Sequence, residues 1–355
     1  MSSSQTIGFV DSPVLTGMLD EAVLDRLEFG IAELGNRQDR AARMASFAAA
    51  VALCPAGEPF TLKEVARSVP GGREGNYRQI SNLLDGGGWD VDELRRYLVA
   101  WGAGADVQAI LVEISEVPLG PSICDVVSIH LLGNGWSLPV GWNRVTIPGQ
   151  DGSIEEEINE LERRSVSGLL DQLGDDLHQL GHATDLAPVF SFDTRYGESE
   201  AVRRDIAQRG FEYLLHVGPT YAGPADTAHP YEQQVRRPEL AESMPYTVGG
   251  PLPEPRPIAG PRGPNSNFVV PFFRGGMPTY GIAGPQLAKR AGSLGGHRAR
   301  RRSLQLAELA TRINSPCAAP SLRLSEFRHQ DDAGWLKGAT LLSTVQAIAL
   351  GAFAA

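Results

Sequence analysis

Through the first hundred residues, apolar positions recur three and four apart at Leu24–Leu34, Asp39–Leu53, Thr61–Ser68 and Asn76–Leu84. That spacing predicts helices, and Pro55 and Pro70-Gly71-Gly72 separate them. The period then changes. Val107–Ile114 is a continuous apolar run, Cys124–Leu132 alternates, and Trp136–Ile147 follows a Gly-Asn-Gly turn. Three strands with short connections predict an antiparallel meander. Beyond it come a long helical pattern at Ile154–Leu180, a buried strand at Pro188–Phe192, a helix at Ser199–Arg209 and a strand at Glu212–Val217. This is the alternation of an α/β sheet.

The region from Tyr221 to Pro285 is rich in Pro and Gly, above all at Val248–Pro264, and is too long for a simple connection in a compact domain. It reads as an insertion or lid. Its apolar-aromatic run, Asn267–Tyr280, contains Phe268, Phe272, Phe273 and Tyr280, which serve equally well as core or as a substrate-lining surface. The resulting division is a helical domain over residues 1–104, a sheet domain over 105–220, the insertion over 221–300, and C-terminal helices over 301–355 that complete the core. The apolar stretch Leu341–Ala355 is short of a membrane span and carries Ser343, Thr344 and Gln346, so a packed terminal helix is expected.

Composition is that of a folded globular protein: 355 residues, 42% hydrophobic and 21% charged. The formal net charge of −10 disfavours DNA as a partner, because a DNA-processing surface neutralises many phosphates with Lys and Arg. The one basic track is Lys289–Arg302. It has the charge density to follow a phosphate backbone, and weak nucleic-acid binding at most is expected from it. Arg73, Arg78, Arg95 and Arg96 lie among acidic neighbours in the helical part and read as a solvated face. Three cysteines without CxxC spacing, Cys54, Cys124 and Cys317, argue against a disulfide framework or zinc site. Met1–Gln5 is polar and uncharged, without a secretory signal, so a reducing cytoplasm is the expected location. No membrane association is expected, and a homodimer stays open.

Three stretches carry a family resemblance: Asn82–Leu98, Phe190–Pro219 and Leu324–Leu350. The chain resembles the DDE-type insertion-sequence transposases common in actinomycetes. That resemblance implies a ribonuclease-H-like mixed sheet with flanking helices, in which the first and fourth strands are parallel neighbours. It also implies three acidic residues holding two divalent cations. Here Asp193 keeps the second acid. The first is replaced by Glu113, within Glu113-Ile114-Ser115-Glu116, where the family has an Asp followed by Glu-Thr-Gly. The third should fall near Arg312 or Ile313, neither of which is an acid.

The expectation is therefore no metal, no cofactor and no transposition. Arg312 would neutralise the remaining carboxylates. Asp193, Glu113, His216 and Arg195 are the candidate catalytic residues, with Glu116, Arg312, Phe272 and Tyr280 as candidate substrate-binding groups. His216 is placed by alternation on the face opposite Tyr213, Leu215 and Val217, where it could carry a proton near neutral pH; a hydrogen-bonded structural histidine is the competing reading. His178 and His182 have i,i+4 spacing but no third ligand and read as a pair at a helix end. Two functions follow. One is an enzyme repurposed for metal-free acid/base chemistry on a small natural-product intermediate, as dehydratase, lyase or cyclase. The other is an inactive DNA-binding regulator or domesticated relic.

Overall fold

The computed structural model describes residues 60–68, 77–78, 81–82, 84, 90–105, 107–119, 122–133, 136–146, 154–218, 256–257, 268–274, 277–284, 327–328 and 332–349. Short β1 (Phe60–Thr61) leads into α1 (Leu62–Ser68). Thr61 closes a capping box: its backbone N–H and hydroxyl both donate to the Glu64 carboxylate, at 2.5 and 2.8 Å. In α2 (Val91–Gly104) the cap is Asp90, which accepts from the Asp92 and Glu93 backbone N–H groups. Leu94, Leu98 and Val99 of that helix are buried at the spacing of a single face.

The predicted meander forms from β2 (Val107–Leu119), β3 (Ser122–Gly133) and β4 (Trp136–Thr146), paired antiparallel in chain order. After α3 (Ile154–Gln179), strand β5 (Val189–Ser191) enters beside β2, parallel to it. Then come α4 (Thr194–Glu198), α5 (Glu200–Gln208) and β6 (Tyr213–Val217), which is parallel to β5. The protein is thus mixed α/β. β5, β6 and the Ala109–Val112 stretch of β2 that pairs with β5 are buried and mostly apolar, as parallel neighbours in the middle of a sheet require.

One expectation is corrected here. Asn267–Tyr280 was expected as a cover over the site, but β8 (Phe268–Arg274) and β9 (Met277–Ala283) form a hairpin that continues the sheet. With β7 (Arg256–Pro257), the eight-stranded order is β4-β3-β2-β5-β6-β9-β8-β7. β6 would otherwise end the sheet with its main-chain groups unpaired, and β9 satisfies them by antiparallel pairing. The described part of the insertion is, in structural terms, more sheet.

Alternation divides the sheet into two faces. On one, Ile110, Val112, Val127, Ile129, Leu131, Val189, Leu215 and Val217 join Leu98 and Val99 of α2 and Val166, Leu170, Leu173 and Leu177 of α3 in a single apolar cluster. The other carries Leu111, Glu113, Ser128, His130, Phe190, Leu214 and His216. Finally, α6 (Asp332–Ala349) starts nine residues before the predicted terminal helix and buries Trp335, Ala339 and Leu341. Just before it, β10 (Phe327–Arg328) pairs parallel with β1, with the Phe60 and Phe327 rings 5.4 Å apart. No described helix is long and apolar enough to cross a membrane.

Candidate functional site

Glu113 lies at mid-length in β2. In the ladder it stands directly opposite Ser128 of β3, and Ser128 stands opposite Trp142 of β4. The three form a row across the meander on the face away from α3. His130, two residues along from Ser128 and therefore on the same face, is almost wholly enclosed. Its Nε2 is 2.9 Å from the Ser128 hydroxyl and its Nδ1 3.3 Å from the Ser137 hydroxyl. Both ring nitrogens are thus engaged, one donating and one accepting in the neutral imidazole.

Burial holds His130 well below its usual range, at about 3. The Glu113 carboxyl is 4.0 Å from the His130 Nε2 and keeps 26% of its side-chain surface. An uncharged imidazole offers no charge to stabilise an ionised neighbour, so burial pushes Glu113 up to about 8. Burial thus favours its protonated form near neutral pH.

Asp193 follows β5 and caps α4, accepting from the Arg195 backbone N–H at 2.9 Å. The Arg195 guanidinium returns to the same carboxylate with two donors, Nε to Oδ1 at 3.1 Å and Nη2 to Oδ2 at 2.6 Å. Its Nη1 donates to Asn159 of α3 at 3.0 Å, and Glu162 of α3 lies 3.4 Å from Nη2. Asp193 raises the guanidinium's affinity for its proton. Glu162 is enclosed, and burial together with a hydrogen bond to Asp125 of β3 pushes it up to about 7. The cation expected from Arg312 is supplied two residues away by Arg195; Arg312 itself lies outside the described residues.

His216 Nδ1 donates to the Phe192 carbonyl at 2.8 Å, which fixes the proton on that nitrogen. As alternation predicts, the register places it with Leu214 on the face opposite Tyr213, Leu215 and Val217. Gly197 on α4 packs against the His216 carbonyl so closely that a Cβ there would overlap it.

The candidates are only partly assembled. Glu113 and His216 share a face, two strands apart, across β5. The expected convergence of Asp193 with them is corrected: Arg195 ties its carboxylate to α3, on the helical side, whereas the partner of Glu113 is His130. The register explains the split, because Val112 pairs with Ser191, so Glu113 and the Ser191–Asp193 series have opposite parity. Tyr280 is also corrected, from substrate lining to core. It pairs with Val217 and belongs to the apolar cluster. Glu116 stands opposite Asp125 in the β2–β3 ladder, and Phe272 opposite Thr279 in the β8–β9 hairpin. His178 and His182 are at the end of α3, where Gly181 takes a positive φ of 77°, which fits a helix-end pair. The Lys289–Arg302 track and the helices at Leu24–Leu34 and Asp39–Leu53 lie outside the described residues.

Sequence reasoning missed His130, Ser128, Trp142, Asp125 and Glu162. A signal for the first two was present: within the alternating strand Cys124–Leu132, Ser128 and His130 are polar at a spacing of two, the mark of a second face that is not purely apolar.

The divalent cations that the resemblance implies can be tested on these donors. Glu113 lies on the opposite face of the sheet from Asp193, and both oxygens of Asp193 accept from Arg195. A hard cation needs ionised oxygens with open lone pairs, and this pair does not fit it. Among the described residues no group of three His, Cys, Asp or Glu is placed to hold a metal. No family model matches the sequence, and no curated protein matches it.

Proposed function

We propose that this chain is a transposase-fold protein that has left DNA cleavage and acts as a metal-independent acid/base enzyme, a dehydratase, lyase or cyclase, on a small organic natural-product intermediate. The ribonuclease-H-like part of this reading is supported by the strand order. A three-strand antiparallel meander places its first strand, β2, beside the later parallel pair β5 and β6. The observation that carries the chemistry is the placement of Glu113: a largely enclosed carboxyl on the face of the sheet away from α3, whose close polar partner is a neutral imidazole.

Such a group is a proton donor near neutrality, matched to protonating a departing hydroxyl or a carbonyl oxygen. His216 shares the face. With its proton held on Nδ1 by Phe192, its Nε2 is the basic nitrogen and the complementary base. Asp193 and Arg195 anchor the β5–α4 turn that carries Phe192, and so position His216.

Infrared titration tests the acid. Wild type should show a protonated side-chain carboxyl band that persists until about pH 8, whereas in Glu113→Gln only the Glu162 band should remain and be lost around pH 7. A band lost near pH 4.5, as for an ordinary glutamate, would remove the proton donor and the proposal with it. Calorimetry with manganese should show no micromolar binding that Asp193→Ala abolishes, and plasmid DNA should stay intact with magnesium. Nicking by the purified protein would restore the transposase reading.

A further inference from the structure

On the helical face of the meander two enclosed carboxyl groups meet. Asp125 has the parity of Val127, Ile129 and Leu131, all in the apolar cluster, so it points from β3 toward α3. Glu162 stands one turn before Val166 on the inward side of α3. The two residues keep 3% and 1% of their surface, and their side chains are hydrogen-bonded to each other. Ionised carboxylates only accept. A bond between two carboxyls therefore contains a proton, and the pair carries one negative charge rather than two.

Each described element around the pair contributes neighbours. On α4 are Asp193, Arg195 and Tyr196, the last kept a neutral phenol first by burial and then by the nearby carboxylates. On β2 Glu116 stands opposite Asp125 in the ladder, and on β4 the apolar Val145 does so. α3 adds Asn159, one turn before Glu162, which accepts from Arg195 Nη1 at 3.0 Å. Arg195 is the one cation among these residues, and it is shared: Nη2 donates to Asp193 Oδ2 at 2.6 Å and lies 3.4 Å from Glu162 Oε2.

We infer that Asp125 and Glu162 are a proton-sharing latch between the meander and α3, and that loss of the shared proton draws Arg195 from Asp193 to Glu162. Enclosed charges have little water to turn to. Two adjacent carboxylates there repel each other, and the guanidinium beside them is the countercharge within reach. Closing 3.4 Å to the about 2.8 Å of a charge-assisted bond is a sub-ångström move. Asp193 then loses its hold on the guanidinium that ties the α4 cap to α3. Phe192, beside that cap, accepts from His216, so the latch also sets how firmly His216 is held, whatever His216 does. Release belongs near neutrality, since burial and the shared hydrogen bond lift Glu162 to about 7. Glu113 plays no part in it.

Nuclear magnetic resonance on the full chain, with 13C in the Asp and Glu side-chain carboxyls and 15N in Arg, reads both halves of the latch. In wild type the Asp125 and Glu162 carboxyl resonances should move together in a last step around pH 7, as coupled groups do, and the Arg195 Nε resonance should move in the same step. Glu162→Gln keeps the hydrogen bond, its amide donating to the Asp125 carboxylate, and has no proton to lose. The Arg195 step should vanish in it. Asp125→Asn works from the other side and stands in if Glu162→Gln does not fold: its amide donates to an ionised Glu162, and the Arg195 step near pH 7 should vanish as well.

Carboxyl resonances that move in separate steps, or that finish moving below about pH 5 as ordinary carboxyls do, show that no proton is shared and overturn the latch. So does an Arg195 resonance that stays put while the pair ionises, or an Arg195 step that survives in Glu162→Gln or, in its place, Asp125→Asn. The infrared titration of Glu113 reports on the other face of the sheet, so failure of the latch and failure of the acid/base reading are told apart.

Discussion

Glu113 and His130 were both buried uncharged, and that choice has opposite costs on the two sides of neutrality. In the unfolded chain Glu113 ionises at about 4.5, in the folded protein at about 8. Between those values the native state holds a proton that the unfolded state has released, so its contribution to stability is full below 4.5 and is lost as pH rises. His130 has a folded value of about 3 against 6.5 unfolded, so in that window the unfolded state holds the extra proton and stability is lost as pH falls. Denaturant titrations should therefore show Glu113→Gln gaining on wild type as pH rises from 4.5 to 8, by up to about 1.4 kcal/mol per pH unit. His130→Gln should gain as pH falls from 6.5 toward 3. Glu162 acts in the same direction as Glu113 up to about 7, so the Gln variant at position 113 retains part of the alkaline slope. Either difference running the other way would mean that the group is charged in the folded protein.

At the scale of elements, the contact between α4 and β6 has no room for adjustment. A methyl at Gly197 would meet the rigid backbone carbonyl of His216, whereas one at Gly102 in α2 would meet the end of the flexible Leu131 side chain. Gly197→Ala should cost about 1–3 kcal/mol or more, measured by denaturant midpoint. Gly102→Ala should be close to neutral, since helix propensity returns up to about 1 kcal/mol. Similar losses in both would show that α4 can back away from the sheet.

The elements themselves were legible. The meander, α3, β5, α5 and β6 fall within a few residues of the patterns that announced them, because period-2 and period-3.6 spacing survive wherever one face is buried. What the pattern could not convey was which neighbours meet. Tyr280 looked like a lining aromatic because nothing local distinguishes a lid from a strand that pairs with β6. Asp193 looked like a partner of Glu113 because only the register of Val112 with Ser191 reveals their opposite parity. His130 lay hidden in a strand that was read only for its period.

For the molecule as a whole, a net charge of −10 opposes any polyanion. Duplex binding in a mobility-shift assay should be weak at low salt and vanish at physiological salt, with a shallow dependence on salt concentration, because few phosphates are neutralised. Sequence-specific binding that persists there would favour a regulator over an enzyme.

The sheet order also sets a timetable for synthesis. β2, β3 and β4 are successive hairpin partners and can pair as soon as they leave the ribosome, while β5 is made only after the whole of α3. Until then β2, destined for the middle of the sheet, is an apolar edge open to any passing strand. Translation of α3 is the interval in which a nascent chain is most exposed to sticking to another, and a chaperone that shields β2 then would matter more to yield than one acting on the finished protein.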